Sequence, residues 1–324
     1  MERHERIAYR PQIDMQQIQA FDEHLRTLPG SWSTIGRSFV HSGAPGVIRL
    51  RWQIANERWC DEPGFLDFLD VRNNRLLLRC FLQHEPMTED LQISDEESDS
   101  SGAGMPEHNW QRSWTEEALL KKMEPGTKHR HLTQALHFLE VQGYIVAHGT
   151  GEWVSGSFLE QVMTLAPTFS WCVQARLQTN YHALVRRSVS FIEWQSSSLN
   201  ELDVLAFTED GRIMIVDCKT NPAISLDQMI HFVRRASEFP ADISLLLIDT
   251  DEEEQVIKRL RQMNTILHRE ETDFGSRYQH KESTMYHLTE NLYVANTVGG
   301  INSVLELVLQ SASSLKPVNY IPSL

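Results

Sequence analysis

The chain has 324 residues, 41% of them hydrophobic, which is room for two or three domains with cores of their own. Its 30 Lys and Arg against 44 Asp and Glu give a formal net charge of -14, which argues against a protein that coats nucleic acid through its phosphates. There is no apolar run long enough for a transmembrane helix and no apolar signal segment after Met1-Glu2-Arg3-His4; four scattered cysteines suit reduced thiols rather than a disulfide frame or zinc site, so a cytoplasmic protein with no membrane partner is expected.

Residues 1–87 balance 11 basic with 11 acidic side chains. Asp14 is placed to cap a helix through about Leu28, with Ile18, Phe21 and Leu25 on one face. Apolar runs then predict strands over Gly46–Ile54, Phe65–Val71 and Arg75–Leu82, the last two joined at Asn73-Asn74. This is a small α+β domain without a catalytic constellation, and a sensing or dimerisation module is its expected role. Residues 88–109 include Ser94-Asp95-Glu96-Glu97-Ser98-Asp99-Ser100-Ser101 and have almost nothing to bury. They read as an acidic, Ser-rich disordered linker.

In residues 110–156, Ser113-Trp114-Thr115-Glu116 is a capping box opening a helix with Leu119, Leu120 and Met123 on its apolar face. A second helix, about Lys128 to Gln142, places Leu132, Ala135, Leu136 and Leu139 at i, i+3, i+4 and i+7. Tyr144–Ala147, the turn His148-Gly149-Thr150-Gly151 and Glu152–Val154 form a two-stranded wing, so the region looks like a winged helix. The cluster Lys128-His129-Arg130-His131 opens its second helix. Either Lys128 and Arg130 face nucleic acid in a groove, or the module only connects its neighbours.

Residues 157–324 begin with a helix carrying Glu160, then a strand over Ser188–Trp194. After a hairpin, Asn221-Pro222 breaks the chain. A helix over Ser225–Glu238 follows, capped by Ser225 with Gln228 at the capping-box position. Ile243–Ile248 is a buried strand, Asp251 to about Met263 a helix, Leu292–Ala295 a strand, and Ile301 to about Gln310 a closing helix. Leu267–Tyr286 gives no clear element, and the histidines lack metal-ligand spacing.

The hairpin runs from Asn200-Glu201-Leu202-Asp203 through Thr208-Glu209-Asp210-Gly211-Arg212 to Asp217-Cys218-Lys219-Thr220. A three-residue loop with Gly in the left-handed last position makes Thr208 and Arg212 the closing pair. Asp203 then lies opposite Asp217, and Glu201 opposite Lys219. One face, Leu202/Cys218, Val204/Val216 and Ala206/Met214, is apolar throughout. A two-residue Asp210-Gly211 turn would slip the register and carry Asp217 to the other face. Opposed carboxylates repel, and a divalent ion with hard oxygen ligands is the commonest reason for tolerating them. A salt-bridged strand end, with Glu201 pairing Lys219 and Asp217 solvated, is the plainer reading.

Asp203, Asp217, the spacer Cys218 and Lys219 resemble the PD-(D/E)xK nuclease signature, with Glu160 in the place of its helical acid. The Asn-Glu-Leu-Asp start and Cys-Lys-Thr end are most similar to the winged-helix and nuclease part of CRISPR-ancillary nucleases activated by cyclic oligoadenylate. The likeness covers roughly residues 110–324. It implies an α/β fold with a restriction-endonuclease-like core (α-β-β-β-α-β) over 157–324. It also implies a metal-dependent endonuclease acting on DNA or RNA in antiviral defence, as a homodimer, with a small-molecule or protein activator at the N-terminal domain. Asp203, Asp217, Glu160 and the Cys218 backbone carbonyl would hold Mg²⁺ or Mn²⁺. Lys219 would orient the attacking water, with Glu201 steadying it and Gln228 in support. The competing expectation is a winged-helix nucleic-acid-binding regulator, or a scaffold, whose nuclease-like domain is inactive.

Overall fold

A computed structural model describes residues 31–35, 38–44, 46–52, 64–82, 113–156, 159, 165–193, 199–221, 224–239, 241–250, 252–266, 275–280, 282–289 and 291–314. In chain order the elements are β1 (Ser31–Ile35), β2 (Ser38–Ala44), β3 (Gly46–Trp52), α1 (Phe65–Asp70), α2 (Arg72–Cys80), β4 (Trp114–Thr115), α3 (Glu116–Leu120), α4 (His129–Val141), β5 (Ile145–Ala147) and β6 (Glu152–Ser155). They continue with α5 (Ala166–Tyr181), β7 (Leu184–Glu193), β8 (Leu199–Phe207), β9 (Ile213–Lys219), α6 (Leu226–Glu238), β10 (Ile243–Ile248), α7 (Glu253–Ile266), β11 (Ser276–His280), β12 (Ser283–Thr289), β13 (Leu292–Asn296) and α8 (Ile301–Ser314). The chain is mixed α/β, with one ten-stranded sheet in the order β1-β2-β3-β7-β8-β9-β10-β13-β12-β11 and a second sheet ordered β4-β6-β5. It divides into two units, Met1–Arg72 with Ala166–Leu324, and Asn73–Leu165. No helix among the described residues is long and apolar enough to cross a membrane.

In the larger unit, β7, β8 and β9 run antiparallel, while β10 pairs in parallel with both β9 and β13. Parallel strands covered on both faces need continuous apolar sequence, and all six residues of β10 are buried. Above β10 lies α6, whose Met229, Phe232, Val233 and Ala236 recur at helical spacing and pack on Leu246 and Ile248. Each large side chain so buried contributes roughly 1.5–3 kcal/mol. This packing fixes which face of α6 looks down on the sheet.

Two segments differ from the sequence expectation. Phe65–Val71 and Arg75–Leu82, predicted as paired strands, form the helices α1 and α2. Phe65, Phe68 and Leu69 are buried at i, i+3 and i+4, and Leu77 and Leu78 of α2 are buried with Phe81 and Leu82 of the turn that follows it; runs this short fit either period until packing decides. Arg176 fastens α1 by bonding Asp67 at 2.7 Å and the Leu66 carbonyl at 3.1 Å. Strand β3 falls where predicted, but it pairs with β7, Trp52 opposite Val189, so residues 31–52 extend the large sheet rather than closing on themselves. The expected Asp14–Leu28 helix lies outside the described residues. Residues 267–286, which gave no clear element, contain β11 and the start of β12, an antiparallel pair at the far edge of the sheet.

In the smaller unit, α4 and the antiparallel pair β5–β6 stand where a helix and two strands were expected, with Leu132, Ala135, Leu136 and Leu139 buried. The N-cap of α3 is Thr115, whose Oγ1 accepts from the Ala118 amide at 3.3 Å, not Ser113, because Trp114 and Thr115 pair with β6 first. Three bonds tie α2 and the turn after it to the rest of the unit: Glu124 N to Asn73 Oδ1 at 3.0 Å, His131 Nε2 with Asn74 Oδ1 at 3.2 Å, and Ser155 Oγ to the Phe81 carbonyl at 2.6 Å. The acidic tract 88–109 lies outside the described residues, and the described chain on both of its sides belongs to this one unit.

Candidate functional site

The β8–β9 hairpin closes as its turn chemistry requires. Thr208 N donates to Arg212 O at 3.0 Å and Gly211 N to Thr208 O at 2.9 Å, with Gly211 at φ 84°. Phe207 pairs with Ile213, Ala206 with Met214, Leu205 with Ile215 and Val204 with Val216. The slipped register of a two-residue turn is therefore not formed, and the same register carried one step past the last pair, Val204 with Val216, sets Asp203 across from Asp217.

Beyond Val204 the strands part. Carbonyls of Ile213 and Lys219 accept from Asp242 and Asp249, both at 2.8 Å, so they point toward β10. Alternation along the strand then turns the amide and carbonyl of Cys218 toward β8. The Cys218 amide donates to Asp203 Oδ2 at 2.7 Å. On the other side of β8, the residue opposite Asp203 is Ser188, at φ 49°. That left-handed conformation costs an L-residue roughly 1–2 kcal/mol.

Asp217 is 5% exposed, and both of its oxygens are engaged. Lys219 Nζ, on the same face of β9, bonds Oδ1 at 2.5 Å, and the Arg235 guanidinium from α6 bonds Oδ2. The carboxyl groups of Asp203 and Asp217 are close enough that each shifts the ionisation of the other. Burial, and then the neighbouring Asp217, push Asp203 up to about 7. Burial acts on Asp217 in the same direction, but Lys219 and then Arg235 outweigh it and hold Asp217 below the usual carboxylate range. Lys219 loses some basicity to burial and regains more from Asp217 and Asp203, so it stays charged. Burial and the two aspartates raise the Cys218 thiol well above its ordinary value, which removes it as a thiolate nucleophile.

The remaining residues singled out by the sequence are distributed as follows. Glu201 is exposed and lies opposite Ser190 of β7, while Lys219 pairs with Asp217 rather than with Glu201. Gln228 completes the capping box of α6, its Oε1 accepting from Ser225 N at 2.9 Å while Ser225 Oγ accepts from its own amide at 3.2 Å. Glu160 lies outside the described residues. Lys128 and Arg130 are exposed at the start of α4, on either side of His129, which pairs with Glu116 at 2.7 Å. Arg235 had no signal in the sequence beyond its place in the last turn of a helix. Arg234-Arg235 reads as a solvated pair until the packing of α6 aims Arg235 at the hairpin.

The donor set has the right chemistry for a hard divalent cation: two carboxylates and the Cys218 carbonyl, all oxygen, at the open end of the hairpin. Among the described residues it lacks a third acidic or histidine side chain. With Lys219 and Arg235 in place, the two aspartates are charge-balanced without an ion. No protein-family model matches the chain, and no curated protein matches it.

Proposed function

We propose that the chain is a metal-dependent nuclease that hydrolyses phosphodiester bonds of DNA or RNA. The observation that carries this reading is that Asp203, bonded to the Cys218 amide, stands beside the buried Asp217, with Lys219 one pleat on, on the same face of β9, and bonded to Asp217. Helix α5, the antiparallel strands β7-β8-β9, helix α6 and the parallel strand β10 follow one another in the order of a restriction-endonuclease-like core. In the smaller unit, α2, β4, α3, α4, β5 and β6 follow the order of a winged helix. Both orders support the resemblance to the PD-(D/E)xK nucleases.

Asp203, Asp217 and the Cys218 carbonyl would hold Mg²⁺ or Mn²⁺. The ion, when bound, supplies charge neutralisation at a phosphoryl oxygen and lowers the pKa of a bound water. Asp203 serves as a ligand only after losing its proton. Lys219 is positioned to hold the attacking water or the negative charge that develops in the transition state. Glu160 is the candidate for a third acid. The winged-helix module, with Lys128 and Arg130 exposed, would connect or guide the substrate.

The test is incubation of labelled DNA and RNA with Mn²⁺ or with EDTA, using the native chain, Asp217→Asn and Lys219→Ala. Product is expected from the native chain with Mn²⁺ alone. Undiminished cutting by both purified, folded variants overturns the reading.

A further inference from the structure

The two aspartates of the hairpin are already neutralised by side chains. Lys219 comes from β9 itself, two residues from its partner. Arg235 comes from a different element, 18 residues further along, and fills the oxygen that Lys219 leaves. Both partners are shielded, with the Arg235 side chain 14% exposed and that of Asp217 7%. The helix that carries Arg235 is held by Phe232, Val233 and Ala236 in the core, so the guanidinium is presented to the hairpin by packing.

A guanidinium does not deprotonate in a protein. An incoming dication can therefore gain Asp217 Oδ2 only if Arg235 moves off it. Cation and guanidinium cannot share the position, because like charges at such distances in a shielded site repel strongly. Arg235 is the partner better able to leave, since its arm is long and its backbone lies on a helix rather than on the strand that bears the carboxylate.

We propose that Arg235 is a resident counter-cation that a divalent ion must displace from Asp217 in order to load the site. This rests on the nuclease reading and adds to it a residue that sets the affinity for metal. The unloaded fold is charge-balanced and needs no ion. Metal affinity is then the intrinsic affinity of the two aspartates less the strength of the Arg235–Asp217 pair.

The experiment is calorimetric titration of the full chain with Mn²⁺, comparing the native protein with Arg235→Gln, Arg235→Lys and Asp217→Asn, with circular dichroism as the folding control. Arg235→Gln is expected to bind Mn²⁺ about tenfold more tightly than the native chain. Arg235→Lys, which keeps the charge but loses the fork, should fall between them, and Asp217→Asn should lose binding. Equal or weaker binding by Arg235→Gln, with Asp217→Asn still abolishing it, overturns the displacement and leaves the metal site standing. Absence of binding in the native chain and in both folded Arg235 variants overturns the metal reading, and the displacement with it. Should Arg235→Gln not fold, Arg235→Lys decides by the same comparison.

Discussion

Asp203 Oδ2 accepts the Cys218 amide hydrogen at 2.7 Å, in the place of the backbone bond that a Leu202/Cys218 ladder pair would carry. The hairpin is thus closed by backbone at its turn and by a carboxyl at its site end. That substitution keeps the Cys218 amide satisfied while the strands separate. It also holds Asp203 beside Asp217, where burial and the second carboxylate make its charge expensive.

A pH dependence follows. Asp203 stands at about 7 in the folded chain, against about 3.9 for an unfolded aspartate. Between those values the folded state holds a proton that the unfolded state has lost, so stability falls as pH rises from about 4 to about 7. Asp203→Asn keeps an acceptor for the Cys218 amide and has no charge to bury. In EDTA, its melting temperature is expected to match the native chain near pH 5 most closely and to exceed it increasingly up to pH 8. Asp217, held low, acts oppositely, and its contribution is lost only as pH falls below about 4. A gap that is constant across thermal melts from pH 5 to 8 rules this out.

The Asp217–Arg235 pair should show as a coupling energy. Removing one partner leaves the other charge shielded and unmatched, which costs more than removing both. Asp217→Asn and Arg235→Gln are each expected to destabilise, and the double variant by less than their sum. The expected coupling is on the order of 1–3 kcal/mol, read from urea denaturation of the four proteins. Strict additivity shows that the two side chains do not depend on each other.

What was legible in the sequence was local. Gly211 in the last loop position and the alternation of Val204–Phe207 against Ile213–Val216 were enough to place Asp203 against Asp217, because a hairpin register is set by its own turn. Ser225 and Gln228 likewise announced the start of α6, a cap being a contact between residues three apart. Arg235 was not legible, since its meeting with Asp217 depends on how α6 lies on β10. The pairing of β3 with β7 spans more than a hundred residues and leaves no local trace. Phe65–Leu82 is ambiguous in sequence because apolar runs of that length satisfy both periods. The edge strand β11, Ser-Arg-Tyr-Gln-His, is polar and exposed, so it has no hydrophobic pattern to betray it.

Gly211 tests how far the turn dictates the register. At φ 84°, with nothing within 4 Å of an added Cβ, its replacement meets backbone strain alone. Gly211→Ala is expected to destabilise by about 1 kcal/mol, and Gly211→Asn by less, since Asn tolerates the left-handed region. Chemical denaturation gives the values. An alanine variant as stable as the native chain places the register in the strands instead of the turn.

The capping box of α6 separates structure from chemistry at Gln228. Ser225→Ala removes the acceptor for the Gln228 amide and is expected to cost about 1 kcal/mol. Gln228→Ala loses only the reciprocal bond to the Ser225 amide, which is exposed, so a loss on the order of 0.5 kcal/mol is expected. Neither change touches Asp203, Asp217 or Lys219, and α6 remains anchored through Met229, Phe232 and Val233. Metal-dependent cleavage by Gln228→Ala should therefore equal that of the native chain at a temperature where both are folded. Unmoved melting together with a large loss of cleavage would assign Gln228 to the substrate, because a cap acts on the helix and leaves the bond-breaking step alone.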